Sequence, residues 1–447
     1  MDTQWQKLSP AQKQEARFAE WMAPQGLPFA SPEAERAYKE RAQMFKDAVQ
    51  LKKPQRVPIA LLPGIVPFSY GGITVEEAMY DYDKLGHAMR KFNTDFETDI
   101  VITCLLTGAG KVFEILDYKL YRWPGHGVAL DSQYQCVETE YMRADEYDLL
   151  INDPSGYWMR CYLPRVFGAL GPWQMLSPLT DVIELPFTGG FMVPFGMPDV
   201  QQAFKKLLEA GQAALEWINA AVGIDVASMT TLGLPPLFSG YTKAPFDTLG
   251  DTLRGTRAIM LDKFRQPQKV LAAVERLAPL NVEAGVRIAT ANHGPFVFIP
   301  LHKGADGFMS NDDFKKFYWP SLKAVIVGLV REGLVPLLFV EGGYNERLSI
   351  VADPDIPACT TLWLFDRTDM KEVKKHFGGW AAFGGNLPVS LLQTGTPQDV
   401  RSNVKKLLDD VAGDGGFVLA PGAVVDHARP ENLHAWIDAG REYGIYR

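Results

Sequence analysis

Ser310-Asn-Asp-Asp-Phe-Lys-Lys-Phe-Tyr-Trp-Pro-Ser-Leu-Lys-Ala-Val-Ile-Val-Gly-Leu-Val-Arg-Glu-Gly-Leu-Val-Pro-Leu-Leu-Phe-Val-Glu-Gly-Gly343 is one complete helix-to-strand unit. Ser310 can cap a helix, with Asp313 in a capping-box-like position three residues on. Phe314, Phe317, Leu322, Val325 and Leu329 follow at helical spacing, and Gly333 stops the run. Val335–Val340 is then a short apolar strand that ends at Glu341-Gly342-Gly343.

The unit repeats toward the C-terminus. Residues 360–364 read as a strand, 371–377 as a helix, and 380–383 as a strand ending at Gly384-Gly385-Asn386. Thr396-Pro397 opens a helix, with Thr as cap and Pro in the first turn. Residues 417–420 form another strand, and Pro430 opens a final amphipathic helix. Upstream, 57–62 is the first strand, closed by Pro63-Gly64. Strands alternating with helices imply a parallel sheet with right-handed crossovers. No G-x-G-x-x-G follows the first strand, which disfavours a dinucleotide-binding open sheet. The expected fold is therefore a (β/α)₈ barrel over 56–447. Residues 1–55 read as a charged helical N-terminal extension packed outside it. Aromatic, turn-rich residues 105–255 read as long βα loops that form a lid.

Composition narrows the function classes. The net charge of −8 argues against nucleic acid or an anionic membrane as main partner. Cys104, Cys136, Cys161 and Cys359 form no CxxC pair, which suits reduced thiols in the cytoplasm. The N-terminus has no apolar signal-peptide core, and no apolar run approaches a membrane span. A soluble cytoplasmic enzyme is expected, and a homodimer is compatible with it.

Polar residues just past a barrel strand are the first candidates for chemistry. Glu341 follows Val340 directly; it suits a general acid/base or a metal ligand, or a salt bridge to Arg347. His302 and Lys303 follow Leu301. The imidazole can move a proton or bind a metal, or simply sit hydrogen-bonded in its loop. Asp366 follows Phe365 and would orient a partner, tie down Arg367 or cap a helix. Asn386 offers an amide to a ligand or completes a turn. Trp123 and His126, in Trp-Pro-Gly-His-Gly, would stack on a substrate or only pack their loop. There is no HExxH, Walker lysine loop or G-x-S-x-G.

Phe383-Gly-Gly-Asn-Leu-Pro-Val-Ser-Leu-Leu-Gln-Thr-Gly-Thr-Pro-Gln-Asp-Val400, Gly415-Gly-Phe-Val-Leu-Ala-Pro-Gly422 and Arg429-Pro-Glu-Asn432 resemble the uroporphyrinogen decarboxylase superfamily. Phe314-Lys-Lys-Phe-Tyr-Trp-Pro-Ser-Leu-Lys323 fits the same pattern, and Gly72-Ile-Thr-Val-Glu-Glu-Ala-Met79 matches more weakly. The resemblance covers 290–445 and implies a (β/α)₈ barrel. It also implies either a tetrapyrrole decarboxylase or a methyltransferase that exchanges methyl groups with a corrinoid on a partner protein. The decarboxylases' arginine-rich substrate motif has no counterpart near 63–69, and Ala423 stands where they place a histidine. The thiol methyltransferases' His-x-Cys-Gly zinc motif aligns with Phe339-Val340-Glu341-Gly342. A phenolic methyl ether, whose oxygen changes protonation, suits a glutamate there.

The resemblance thus implies a methyltransferase using cobalamin on a corrinoid-binding partner, acting on an apolar or aromatic methoxy compound. Glu341, His302 and Asp366 would be catalytic, and Trp123, His126, Lys303 and Asn386 would bind substrate. A metal site at Glu341 and His302, zinc among the candidates, stays open. The alternatives are a decarboxylase or other lyase on a non-porphyrin substrate, and a barrel that binds without turnover.

Overall fold

The structure, a computed structural model, describes residues 4–446 apart from 185 and 187. Gly240–Tyr241, Phe296–Leu301, Val335–Val340, Leu362–Phe365, Ala382–Leu387 and Phe417–Pro421 pair in that order, all parallel. Two extended segments complete the ring. Residues 57–62 join the last strand through Ala60 N–H to Leu419 O and Leu419 N–H to Pro58 O, both 2.9 Å. Residues 99–101 link Ile59 to Pro235, whose segment runs into Gly240–Tyr241. Eight positions close one cylinder, and the expected barrel is observed.

The strands are apolar because both of their faces are covered. Phe296, Leu337, Leu362, Ala382, Val418 and Ala60 fill the interior. Alternate residues Val297, Leu338, Trp363 and Phe383 pack against the surrounding helices. The caps read from sequence are present: the Ser310 hydroxyl accepts from Asp313 N, and Thr396 and Asp399 form a capping box at Pro397–Val411.

The N-terminal helices lie elsewhere than expected. Pro10–Met22 and Pro32–Val49 do not pack along the outside of the barrel; they stopper its lower end. Phe18, Trp21, Tyr38 and Phe45 belong to the interior cluster, and the Trp21 ring meets Phe296 edge-on at 5.4 Å. Lys13 and Arg17 fasten the plug to Glu332, at the foot of the Val335–Val340 strand.

Residues 105–255 are also more ordered than their sequence suggested. Pro198–Leu232 is a single helix of 35 residues. Its Asp225 accepts from the Thr103 hydroxyl (2.6 Å) and Cys104 N–H (2.9 Å), tying the helix to the second barrel segment. A small sheet of Tyr121–Pro124, Gly127–Val128 and Gln135–Cys136 does form a lid. Gln133 pins it to Asp426 at 3.0 Å, beside Gly64 at the end of the first barrel segment.

Candidate active site

Strand register assembles the site. Leu301 pairs with Val340, and Val340 with Phe365. The next residues, His302, Glu341 and Asp366, therefore leave neighbouring strands at the same level of the same rim. His302 Nε2 lies 3.7 Å from Glu341 Oε2, and its Nδ1 is 2.5 Å from Asp251 Oδ2. The row is carboxyl, imidazole, carboxylate.

Residues past Gly240–Tyr241 supply the far end of this row. Asp251 also holds Lys243 Nζ at 2.6 Å and Lys303 Nζ at 3.1 Å. Asp247, one helical turn before it, is fully buried. It accepts from the backbone N–H groups of His302 (3.0 Å) and Lys303 (2.9 Å) and from the Tyr318 hydroxyl (2.8 Å). This carboxylate fixes the loop that aims the imidazole.

The electrostatics follow from burial and company. Burial alone would lower the His302 pKa, but the Asp251 hydrogen bond and charge outweigh it and hold the imidazole above its ordinary value. Burial raises the Glu341 carboxyl, helped by Asp247, Asp251 and Asp366 and opposed by His302. Asp251 is itself desolvated, yet His302 and Lys243 keep it well below the usual carboxylate range. Of the two carboxyl groups that flank the imidazole, Glu341 is thus the one that gains a proton more readily, and Asp251 the one that stays anionic. Acid and orienting base have been separated by environment.

Other expected residues take other places. Arg347 does not pair with Glu341; it is buried against Gly304 O, Met309 O and Asn311. Asp366 accepts from Gly342 N–H at 3.0 Å, so it steadies the backbone beside Glu341. Asn386 donates to the carbonyls of Asp366 (2.9 Å) and Thr368 (2.8 Å), which gives its amide a loop-holding role. Trp123 and His126 stack on each other at 4.5 Å, with Trp123 bonded to Tyr80 and His126 3.1 Å from Glu114. The structure seats this pair against Tyr80, Phe113 and Glu114 and gives it no contact with the His302–Glu341 row. The lid residues near the row are Tyr121 and Cys136, paired across the small sheet. Burial first, then the field of nearby groups that include Asp251, raises both of their pKa values.

Sequence reasoning missed Lys243, Asp247, Asp251 and Tyr318. The available signal was two aspartates four residues apart just past a strand. That strand, Gly240–Tyr241, is only two residues long and lay within a stretch expected to be irregular.

A protein-held metal does not fit these donors. A zinc site takes three or four protein ligands. Nδ1 of His302 is occupied by Asp251, which leaves Nε2 and the Glu341 carboxylate. No cluster of three or more His, Cys, Asp or Glu able to hold a metal occurs among the described residues.

Residues 221–443 match the family model described as uroporphyrinogen decarboxylase (URO-D). The chain belongs to the uroporphyrinogen decarboxylase superfamily. The superfamily match contains the whole row from Lys243 to Asn386 and excludes Trp123 and His126. The chain is 25% identical over 278 residues to the uroporphyrinogen decarboxylase of Alcanivorax borkumensis, covering 58% of this chain and 76% of that one. It is 28% identical over 140 residues to the Neisseria meningitidis serogroup C enzyme, covering 30% of this chain and 38% of that one. A methyltransferase from Methanosarcina mazei has the same fold, with a TM-score of 0.58 at 14% identity, covering 91% of this chain and 98% of that one. No described helix is long and apolar enough to cross a membrane.

Proposed function

We propose that this chain is the methyltransferase component of a corrinoid-dependent system, acting on a phenolic methyl ether. The carrying observation is the Glu341–His302–Asp251 row, which sets a readily protonated carboxyl beside an apolar interior. Phe238 and Phe298, ring centroids 5.2 Å apart, are only partly buried and offer an aromatic floor below the rim. The two lysines of this rim, Lys243 and Lys303, both pair with Asp251. A porphyrinogen bearing many carboxylates would find both of these lysines already paired, with the Glu341 and Asp366 carboxyls beside them, a poor match for its charge.

The corrinoid, carried by a partner protein, would supply the methyl-accepting centre. This chain's own residues would hold the ring and move the proton. As the methyl–oxygen bond breaks, its electron pair stays on the phenolic oxygen, and Glu341 donates a proton to that atom. His302, held by Asp251, then returns a proton to Glu341. The reverse sequence, with Glu341 as base, serves methylation.

The test is turnover of a methoxyaromatic panel by the purified chain with cob(I)alamin, against Glu341→Gln. General acid catalysis contributes about 10²–10⁴-fold, so the variant should lose that much of kcat. Full turnover by Glu341→Gln on a verified substrate rejects the assigned role. The second reading is a carboxy-lyase, because the curated relatives carry that name and a carbanion left by CO₂ loss also needs a proton donor. CO₂ release with no corrinoid present would select it.

A further inference from the structure

One face of the lid gathers phenols that the proton-moving row does not use. Tyr121 and Cys136 sit opposite each other in the small sheet, so their side chains share a face. Asp251 acts on both groups, and Lys243 and Lys303 act on the Cys136 thiol as well, which turns that face toward the row. The Tyr118 ring lies 5.8 Å from that of Tyr121, and Tyr134 meets Tyr121 edge-on at 5.1 Å. Tyr162, at the end of the Trp158–Tyr162 turn, lies within the field of Tyr121 and Cys136. Hydrogen bonding sets these phenols apart. Nearby buried tyrosines spend their hydroxyls inside the protein: Tyr141 on Val137 O at 3.0 Å, Tyr147 on Asp262 at 2.8 Å and Tyr157 on Glu146 at 3.2 Å. The hydroxyls of Tyr118, Tyr121, Tyr134 and Tyr162 have no hydrogen-bond partner among the described residues. Tyr162 is the sharpest case, because the residue is only 5% exposed and yet its oxygen stays accessible. A buried hydroxyl is ordinarily paired, so one held open beside a site calls for a partner from outside the chain.

The surrounding charges select that partner. Asp251 and Glu138 act on Cys136 more strongly than Lys243 and Lys303 do, and both lysines are held by Asp251. Burial, then the neighbours Cys136, Tyr134 and Asp251, push the Tyr121 phenol up to about 12, so it remains a neutral donor. A carboxylate would be repelled here, and an apolar group would leave the hydroxyls unpaired. An uncharged oxygen meets both conditions. We propose that Tyr121 and Tyr162 bind a hydroxyl group carried on the substrate's aromatic ring, so that the chain selects methoxyphenols over anisole and over methoxybenzoates. The inference rests on the phenolic methyl ether reading above and adds the second substituent of the ring. Both tyrosines lie outside residues 221–443, so the part of the chain shared with the family does not supply them.

Isothermal titration of the full chain with the ortho, meta and para methoxyphenols, anisole and para-methoxybenzoate tests this without any corrinoid. At least one methoxyphenol should bind about tenfold tighter than anisole, because a site built to pair a hydroxyl discriminates against the analogue that lacks it. Tyr121→Phe and Tyr162→Phe should each bring that isomer within about threefold of anisole. Neither should change the Kd of anisole or the melting curve, since each removes an oxygen with no partner in the chain. Equal affinity for anisole and all the methoxyphenols, or a preference for the benzoate, overturns the inference. A methoxyphenol preference that survives both substitutions overturns it as well. If the methoxyphenols bind as expected but no methyl group reaches cob(I)alamin, the methyltransferase reading fails and the hydroxyl subsite stands. If none of the compounds binds, both fail.

Discussion

His302 stands between two carboxyl groups with opposite tendencies, which makes its behaviour checkable. Its raised pKa depends on Asp251, so Asp251→Asn should drop the imidazole pKa, read by NMR titration of the His302 ring. The sign is fixed: protonation of His302 adds stability below its unfolded pKa and is lost as pH rises through the higher folded value. An unchanged titration would mean that Asp251 does not govern the ring. Glu341 gives a second check. Because its carboxyl is raised, the protonated form persists to higher pH than an ordinary glutamate, and proton donation should fail as pH climbs through that value. The falling limb of the kcat profile should therefore vanish in Glu341→Gln. At this scale the sequence was partly legible. Glu341, His302 and Asp366 could be found because each follows an apolar strand directly. Asp251 could not, because its distance from a strand end is bridged by a turn of helix that only the fold defines. Trp123 and His126 were attractive for composition alone, and packing assigned them to each other.

Helix ends were the most readable elements, since a cap is a local bond between residues three apart; Ser310 and Thr396 both behave so. The Pro198–Leu232 helix was not readable, for the opposite reason. Apolar residues on two opposed sides blur the single 3.6-residue stripe that marks a helix in sequence. Its one buried acid, Asp225, has a pKa pushed up to about 6 by burial, against the hydrogen bonds from Thr103 and Cys104. An unfolded aspartate loses its proton near 3.9, so folding becomes costlier as pH rises from there through about 6. The loss is on the order of 3 kcal/mol. Asp225→Asn removes this titration. Denaturant melts at pH 4 and pH 7.5 should show the wild type losing stability relative to the variant; equal changes in both would refute the burial argument.

Across the whole molecule, the strands read at 57–62, 335–340, 360–364, 380–383 and 417–420 implied a barrel by their alternation with helices, and the closed ring bears that out, although its positions at 99–101 and 240–241 were not read. The stopper at the lower end was not implied. Amphipathic helices show that they cover something, without showing what, and the charged residues of 1–55 suggested an outer position. Their aromatic residues instead finish the barrel core, and Trp21 is its largest contribution. Trp21→Ala should cost about 3–5 kcal/mol in chemical denaturation, the range for emptying a buried tryptophan site. A loss below 1 kcal/mol would show the plug to be dispensable.

The ring has a consequence for synthesis. Residues 57–62 find one neighbour early, at 99–101, but the other is 417–421, and Tyr446 returns to Gln55 only at the very end. At about 5–20 residues per second, the first segment waits on the order of half a minute with one edge bare. Bare edges recruit other chains, and the local sequence answers that hazard: Lys52, Lys53 and Arg56 are charged, and Pro54, Pro58 and Pro63 withhold donors. Those prolines guard a nascent chain against its siblings on the polysome, a duty that ends once the last strand arrives.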